Sequence, residues 1–340
     1  MKTKFFPVLL ALLLMAALMI GCSSTAAEPT AAPAADAPAA DAPAAEAPAA
    51  DAPYIAVISK GFQHQFWQAV EAGTEKAADE FGVTVTFEGP ETEAMVDKQV
   101  EMVQAALDKK PAALCLAALD TQALIPLLER AKAEGIPVVG FDSGVDSDIP
   151  VATAATDNLA AAALAADKMA ELIGGEGQVA VIVHDQTSRT GIDRRDGFVN
   201  QMAAEYPNIE IVDIQYGGGD QLKSTDLAKA IIQAHPDIKG FFGANEGSII
   251  GVMNAVTEMG KEGEIVVIGY DSGKQQTDAI RSGLVAGSIT QDPIGIGYKC
   301  VEAAVMALNG EEVPVMIDTG FHWYDATNID SDTIQPLLYE

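Results

Sequence analysis

From position 54 onward, continuous apolar runs alternate with longer segments in which apolar residues recur every three or four positions. The runs at 54–59, 83–87, 112–117 and 136–141 predict strands, and the segments at 65–81, 94–109 and 121–134 predict helices. A strand with one wet face alternates apolar and polar residues, whereas a strand of a parallel sheet, covered on both faces, is apolar throughout. Gly82, Gly135 and the Lys109-Lys110-Pro111 stop mark helix ends. The same grammar restarts after Val151-Ala152-Thr153, with helices expected at 160–173, 191–206, 225–234, 246–259, 275–282 and 294–308. Strands are expected between them at 178–183, 209–215, 238–243, 265–270 and 285–290. Strict β-α alternation predicts an α/β fold of doubly wound parallel sheets, and the length of this region suits two successive lobes.

The first 53 residues follow a different pattern. Lys2 and Lys4 precede an apolar run from Phe5 to Ile20 that ends in Gly21-Cys22. That run is short for a membrane span and lacks basic stop-transfer residues. Met19-Ile20-Gly21-Cys22 resembles a bacterial lipobox, with Met where Leu is usual. Residues 1–22 are therefore expected to be a lipoprotein signal peptide, with lipidation at Cys22 anchoring the mature chain to a membrane in the cell envelope. Residues 23–53 repeat an Ala-Pro-Ala-Ala-acid unit, with Pro33, Pro38, Pro43, Pro48 and Pro53. Proline at every fifth position removes amide donors and stops helix propagation, so this segment is expected to be a disordered, extended tether.

Charge narrows the partners. The chain of 340 residues has 20 basic and 49 acidic residues, a net charge of −29. With no Lys/Arg cluster to offset this, nucleic-acid binding is excluded. Cys22, Cys115 and Cys300 have no metal-ligand spacing, and neither His-Glu-x-x-His nor Gly-x-Ser-x-Gly occurs, so the chain is expected to need no metal or cofactor and not to be an enzyme. Cys115 in a strand and Cys300 in a helix are most simply buried apolar residues, with pairing between them the alternative.

In doubly wound sheets, ligands sit beyond the carboxyl ends of the strands. Those positions here are polar: Ser59-Lys60-Gly61, Asp142-Ser143-Gly144, His184-Asp185-Gln186, Asn245-Glu246-Gly247, Asp271-Ser272-Gly273 and Gln291-Asp292-Pro293. Phe66-Trp67 opens the first helix, Ala155-Thr156-Asp157-Asn158 sits between the two halves, and Arg194 precedes Gly197-Phe198. In their order and spacing these features resemble the ribose-binding class of type I periplasmic binding proteins, the ligand-capturing subunits of sugar ABC importers. The resemblance implies two lobes, 54–155 plus 292–318 and 156–291 plus 319–340, crossed near Thr156, Gln291 and Thr319.

It also implies a site. Asp142, Asn245, Asp271 and Gln291 would hold sugar hydroxyls, since planar carboxylate and amide groups suit the sugar rim. Phe66 and Trp67 would cover the sugar faces. His64 and Gln65 lie in the preceding loop, within reach of the rim. Arg194 either clamps ligand or locks its lobe through an acid, and Asp193 either contacts ligand or caps the helix. Departures from the ribose pattern are Ser143 after Asp142, Ala117 for Asn, and Gly217-Gly218-Gly219 in place of an aromatic residue. They argue against ribose itself and leave room for a hexose, a polyol or a substituted sugar. The expected partners are an ABC permease with its ATPase, met by a monomer. The alternative is a receptor of the same architecture read by a sensor kinase or chemoreceptor. Transcriptional repressors with this core carry an N-terminal helix-turn-helix, where this chain carries the leader.

Overall fold

The computed structural model describes residues 52–339; the expected leader, the Cys22 lipidation site and the tether up to residue 51 lie outside the described residues. In chain order the first half runs β1 (Tyr54–Ile58), α1 (Gln65–Phe81), β2 (Thr84–Glu88), α2 (Val96–Asp108), β3 (Ala113–Leu116), α3 (Ile125–Ala133), β4 (Val138–Phe141) and β5 (Ala152–Ala155). The second runs α4 (Asn158–Ile173), β6 (Gly177–Val183), α5 (Arg189–Glu205), β7 (Ile209–Tyr216), α6 (Gln221–Ala234), β8 (Ile238–Gly243), α7 (Glu246–Glu258), β9 (Val266–Tyr270), α8 (Lys274–Ser282) and β10 (Gly287–Gln291). It is followed by α9 (Pro293–Leu308), β11 (Met316–Asp318), β12 (Phe321–Tyr324) and a 3₁₀ turn at Gln335–Leu337.

These elements build two six-stranded sheets of matching order, β2-β1-β3-β4-β5-β11 and β7-β6-β8-β9-β10-β12. All neighbours are parallel except β12, which runs antiparallel to β10. Each sheet is covered on both faces, which is why its strands read as continuous apolar runs. In the first lobe, Trp67, Val70, Ile296 and Val301 pack on one face, and Val103, Leu107, Leu114 and Leu128 fill the other. In the second, Ala165, Met169, Phe198 and Phe242 lie on one side, and Ile231, Phe241, Val252 and Ile280 on the other. The chain passes between the sheets three times: from β5 to α4, from β10 to α9, and from β11 to β12.

The differences from the sequence pattern are local and have local causes. The helix expected to begin at 121 starts at Ile125, because the Asp120 carboxylate accepts the amides of Gln122 and Ala123 and folds the segment into a turn. Helix α6 starts earlier than expected, because the Asp220 carboxylate accepts the Lys223 amide and caps an exposed polar first turn. Strands β5, β11 and β12 escaped the pattern: β5 is Ala-Thr-Ala-Ala, β11 is a short edge strand with Met316 exposed, and β12 alternates because it lies on the sheet edge. Cys115 and Cys300 are both free and fully buried, and the Cys115 thiol donates to the Cys300 carbonyl at 3.6 Å.

Helices α1 and α9 lie so close that a Cβ at Gly73 would sit 2.1 Å from the Ile294 carbonyl oxygen, and one at Gly297 would sit 2.1 Å from that of Val70. Neither obstacle is a flexible side chain, so the backbones themselves must separate. Gly297→Ala is therefore expected to destabilise the first lobe by about 1–3 kcal/mol, read as a lower urea midpoint; an unchanged midpoint would show that the helices part without cost.

Candidate functional site

The two matching sheets end in matching carboxylates. Asp142 follows β4 and Asp271 follows β9, the fourth strand of each sheet order. Both adopt left-handed backbone, φ 53° and φ 80°, a conformation uncommon for residues other than glycine. Each is pinned there by the neighbouring strand: the Asp142 amide donates to Ala154 at 2.9 Å and the Asp271 amide to Ile289 at 2.7 Å. Strain of this kind persists only where the surroundings over-determine it, and it clusters at ligand clamps.

Both carboxylates line a cavity of about 250 Å³ between the lobes. The first lobe contributes Lys60, His64, Phe66, Trp67, Glu93 and Asp142; the other wall is His184, Arg194, Asn245, Asp271 and Gln291. None of these residues is more than 6% exposed, so the cleft is closed. Its wall is ordered by internal bonds. The Trp67 indole donates to Glu93 at 2.8 Å, and the Phe66 ring meets Trp67 edge-on at 5.0 Å between centroids. Gln291 donates to Asp271 at 2.8 Å. The Arg194 guanidinium donates to Asn158 at 2.7 Å and to the Ala244 carbonyl at 3.0 Å, and lies over the Tyr270 ring at 3.8 Å.

Charge in the cavity is mutually compensated. Burial would lower the Lys60 pKa, but Glu93, Asp142 and Asp185 raise it above its ordinary value, so the ammonium stays charged. It donates to Thr190 of the opposite lobe at 2.8 Å and stands 3.6 Å from Asp142. Burial would raise Glu93, but Lys60, His64, His184 and the Trp67 indole pull it down to about 2. Burial raises Asp142 against the pull of Lys60 and Arg194. Burial, with Lys60 and Arg194 nearby, holds His184 well below the usual imidazole range and keeps it neutral.

Of the residues singled out in the sequence, His64, Phe66, Trp67, Asp142, Arg194, Asn245, Asp271 and Gln291 line the cavity. Gln65 and Asp193 stand outside it. The Gln65 side chain accepts the Lys274 amide at 2.9 Å, and Asp193 faces Arg189 at 3.5 Å in a separate groove at the hinge. Asn245 has a second duty, since its carbonyl accepts the Ser248 amide and caps α7. Lys60, Glu93 and His184 also line the cavity; Lys60 and His184 were read as polar strand-end positions without being assigned to the site, and Glu93 was not singled out. Lys60 and His184 follow β1 and β6, so their position at strand ends was the available signal; Glu93 lies in a loop beyond β2 with no such marker. Gly219 explains the missing aromatic residue. Its φ is +69°, and a Cβ there would meet Gln63 at 2.6 Å and His64 at 3.1 Å, so bare backbone closes this side of the cleft.

Residues 55–312 match the periplasmic binding protein domain model. The chain belongs to the periplasmic binding protein family. Among curated relatives of this binding protein is the D-allose-binding periplasmic protein of Escherichia coli K12, 28% identical over 76% of this chain and 86% of that protein. An ABC transporter solute-binding protein from Agrobacterium vitis, solved with bound D-fucose, superposes with a TM-score of 0.82 at 34% identity, covering 84% of this chain and 100% of that one. A second from the same organism, bound to α-D-tagatopyranose, gives 0.81 at 30% identity over 85% and 99%.

Because the Glu93 pKa is depressed when folded, its contribution to stability is complete above the ordinary carboxylate pKa and is lost as pH falls towards about 2. Glu93→Gln is therefore expected to flatten the acid limb, with the gap in urea midpoints between wild type and variant full above pH ~4.5 and closing towards pH ~2. Parallel curves across that window would show that Glu93 is not held ionised by its neighbours.

Proposed function

We propose that this chain captures a monosaccharide or closely related polyol between its lobes and delivers it to an ABC importer, held at the membrane by a lipid on Cys22 and working as a monomer. The observation that carries the reading is a set of unpartnered polar atoms on residues that line the cavity. Among the described residues, His64 Nδ1, Asp142 Oδ2, His184 Nδ1 and Gln291 Oε1 are buried without a hydrogen-bond partner. Buried polar atoms are as a rule hydrogen-bonded, and four of the nine unpartnered ones among the described residues gather on this one cavity, which supports a ligand rich in hydroxyls. The aromatic wall of Phe66 and Trp67 suits the C–H faces of a sugar ring. The solved relatives were determined with single-ring sugars, D-fucose and α-D-tagatopyranose, which favours a single ring over an oligosaccharide.

The chemistry is recognition followed by closure. Strand-end residues of one lobe take the ligand first, and the facing lobe adds its contacts only in the closed arrangement. That difference in affinity shifts the population between open and closed forms. The lobes that move are 54–155 with 292–318 and 156–291 with 319–340, hinged at the three crossings. The Asp142 and Asp271 carboxyl groups are assigned the strongest hydrogen bonds to sugar hydroxyls.

A thermal-shift panel of pentoses, hexoses and polyols is the first test. A true ligand at a thousandfold excess over its Kd stabilises the folded chain by about 4 kcal/mol; silence across the panel would sink the sugar reading. Asp142→Ala and Asp271→Ala are each expected to raise the Kd of the identified sugar on the order of 100-fold while the circular dichroism spectrum is unchanged. Titrations matching wild type for both would remove these carboxylates from the site.

A further inference from the structure

Two helices that meet across the cleft have no side-chain cap of their own. Helix α1 begins after His64, which makes no cap bond, and it has no acidic residue in its first turn. Helix α8 begins after Gly273, which has no side chain to offer. Helix N-termini leave amides that need acceptors, and they favour negative charge. Here each lobe supplies the acceptor for the other. The Glu246 carboxylate, from the start of α7, takes the Gln65 amide on one oxygen at 3.2 Å and the Phe66 amide on the other at 3.3 Å. In return, the Gln65 side-chain oxygen takes the Lys274 amide of α8 at 2.9 Å. A Cβ at position 273 would lie 3.1 Å from that Gln65 oxygen and 3.2 Å from the Glu246 carboxyl carbon, so a glycine at this point lets the exchange form.

We infer that Glu246 and Gln65 form a latch that holds the closed state by exchanging helix caps between lobes, and that they set affinity as positioning residues without touching the ligand. This rests on the proposed capture function. Neither residue lines the cavity, yet both are wired to it. The Glu246 amide donates to Asp271 at 2.8 Å, and its carboxylate holds the amide of Phe66, whose ring forms the opposite wall. The Glu246 carboxylate is buried with the rest of the closed cleft, and opening leaves both helix ends to water. A ligand that binds the closed form more tightly has its apparent Kd raised as the closed form becomes harder to populate. A residue touching the sugar alters the ranking of sugars; the latch alters every affinity by one factor.

The test compares wild type, Glu246→Ala and the milder Gln65→Ala in the full chain, with D-allose, D-fucose and D-ribose as probes. Loss of a helix cap is expected to raise each measurable Kd by roughly 5–30-fold, by the same factor for every sugar and in the dissociation rate. Unchanged affinities, or a loss confined to one sugar, would overturn the latch. Hydrogen exchange at Gln65, Phe66 and Lys274 in the ligand-free chain separates this outcome from failure of the sugar reading. Slower exchange in wild type than in Glu246→Ala supports the latch even if no probe binds, and equal exchange overturns it.

Discussion

Lys60 and Glu93 sit in the closed cleft with almost no access to water, and neither is tolerable there alone. An isolated buried ion costs several kcal/mol, and only near neighbours of opposite sign with satisfied hydrogen bonds offset that cost. Most of the compensation lies within the first lobe, where Lys60, Glu93 and Asp142 stand together, and Asp185 of the second lobe adds to the hold on Lys60. The charge balance of the first wall is thus largely its own, and closure adds Asp185 and the Thr190 hydroxyl to it from the second.

The backbone serves the same end. Two sheets of equal strand order bring two aspartates to equivalent points, and each is forced into left-handed φ by a bond to the adjacent strand. The repetition gives the cleft carboxylates facing one another from opposite walls. The loop at Gly219 removes side-chain bulk where the second lobe closes over His64 and Gln63. What stays inside is therefore small, polar and enclosed.

Much of this was legible in the sequence because it depends on local patterns. Continuous apolar runs gave away strands covered on both faces, and polar residues just past them marked Asp142, Asn245, Asp271 and Gln291. Contacts across the cleft were not legible. Gln65 sits beside Phe66 in sequence, yet its side chain turns to the N-terminus of α8 in the opposite lobe, a partner more than two hundred residues away. Glu93 became part of the cavity wall through Trp67, Lys60, Gln63 and His64, none of which marks it in the chain. Strand β12 was hidden for another reason: an antiparallel edge strand carries an alternating pattern too short to stand out.

The close seat of α9 against α1 also bears on how the molecule comes into being. The first lobe joins segments from near the beginning and near the end of the globular chain, whereas α4 to β10 form an unbroken stretch. Contacts of long sequence separation must wait for their loop to close, and domains form as units when their whole core is present. During vectorial emergence from the ribosome or a secretion channel, the second lobe has its helices and five parallel strands before α9 arrives. The first lobe still lacks the helix that fills the groove beside Gly73. It is the late-maturing half, and the arrival of the segment carrying α9 and β11 completes it.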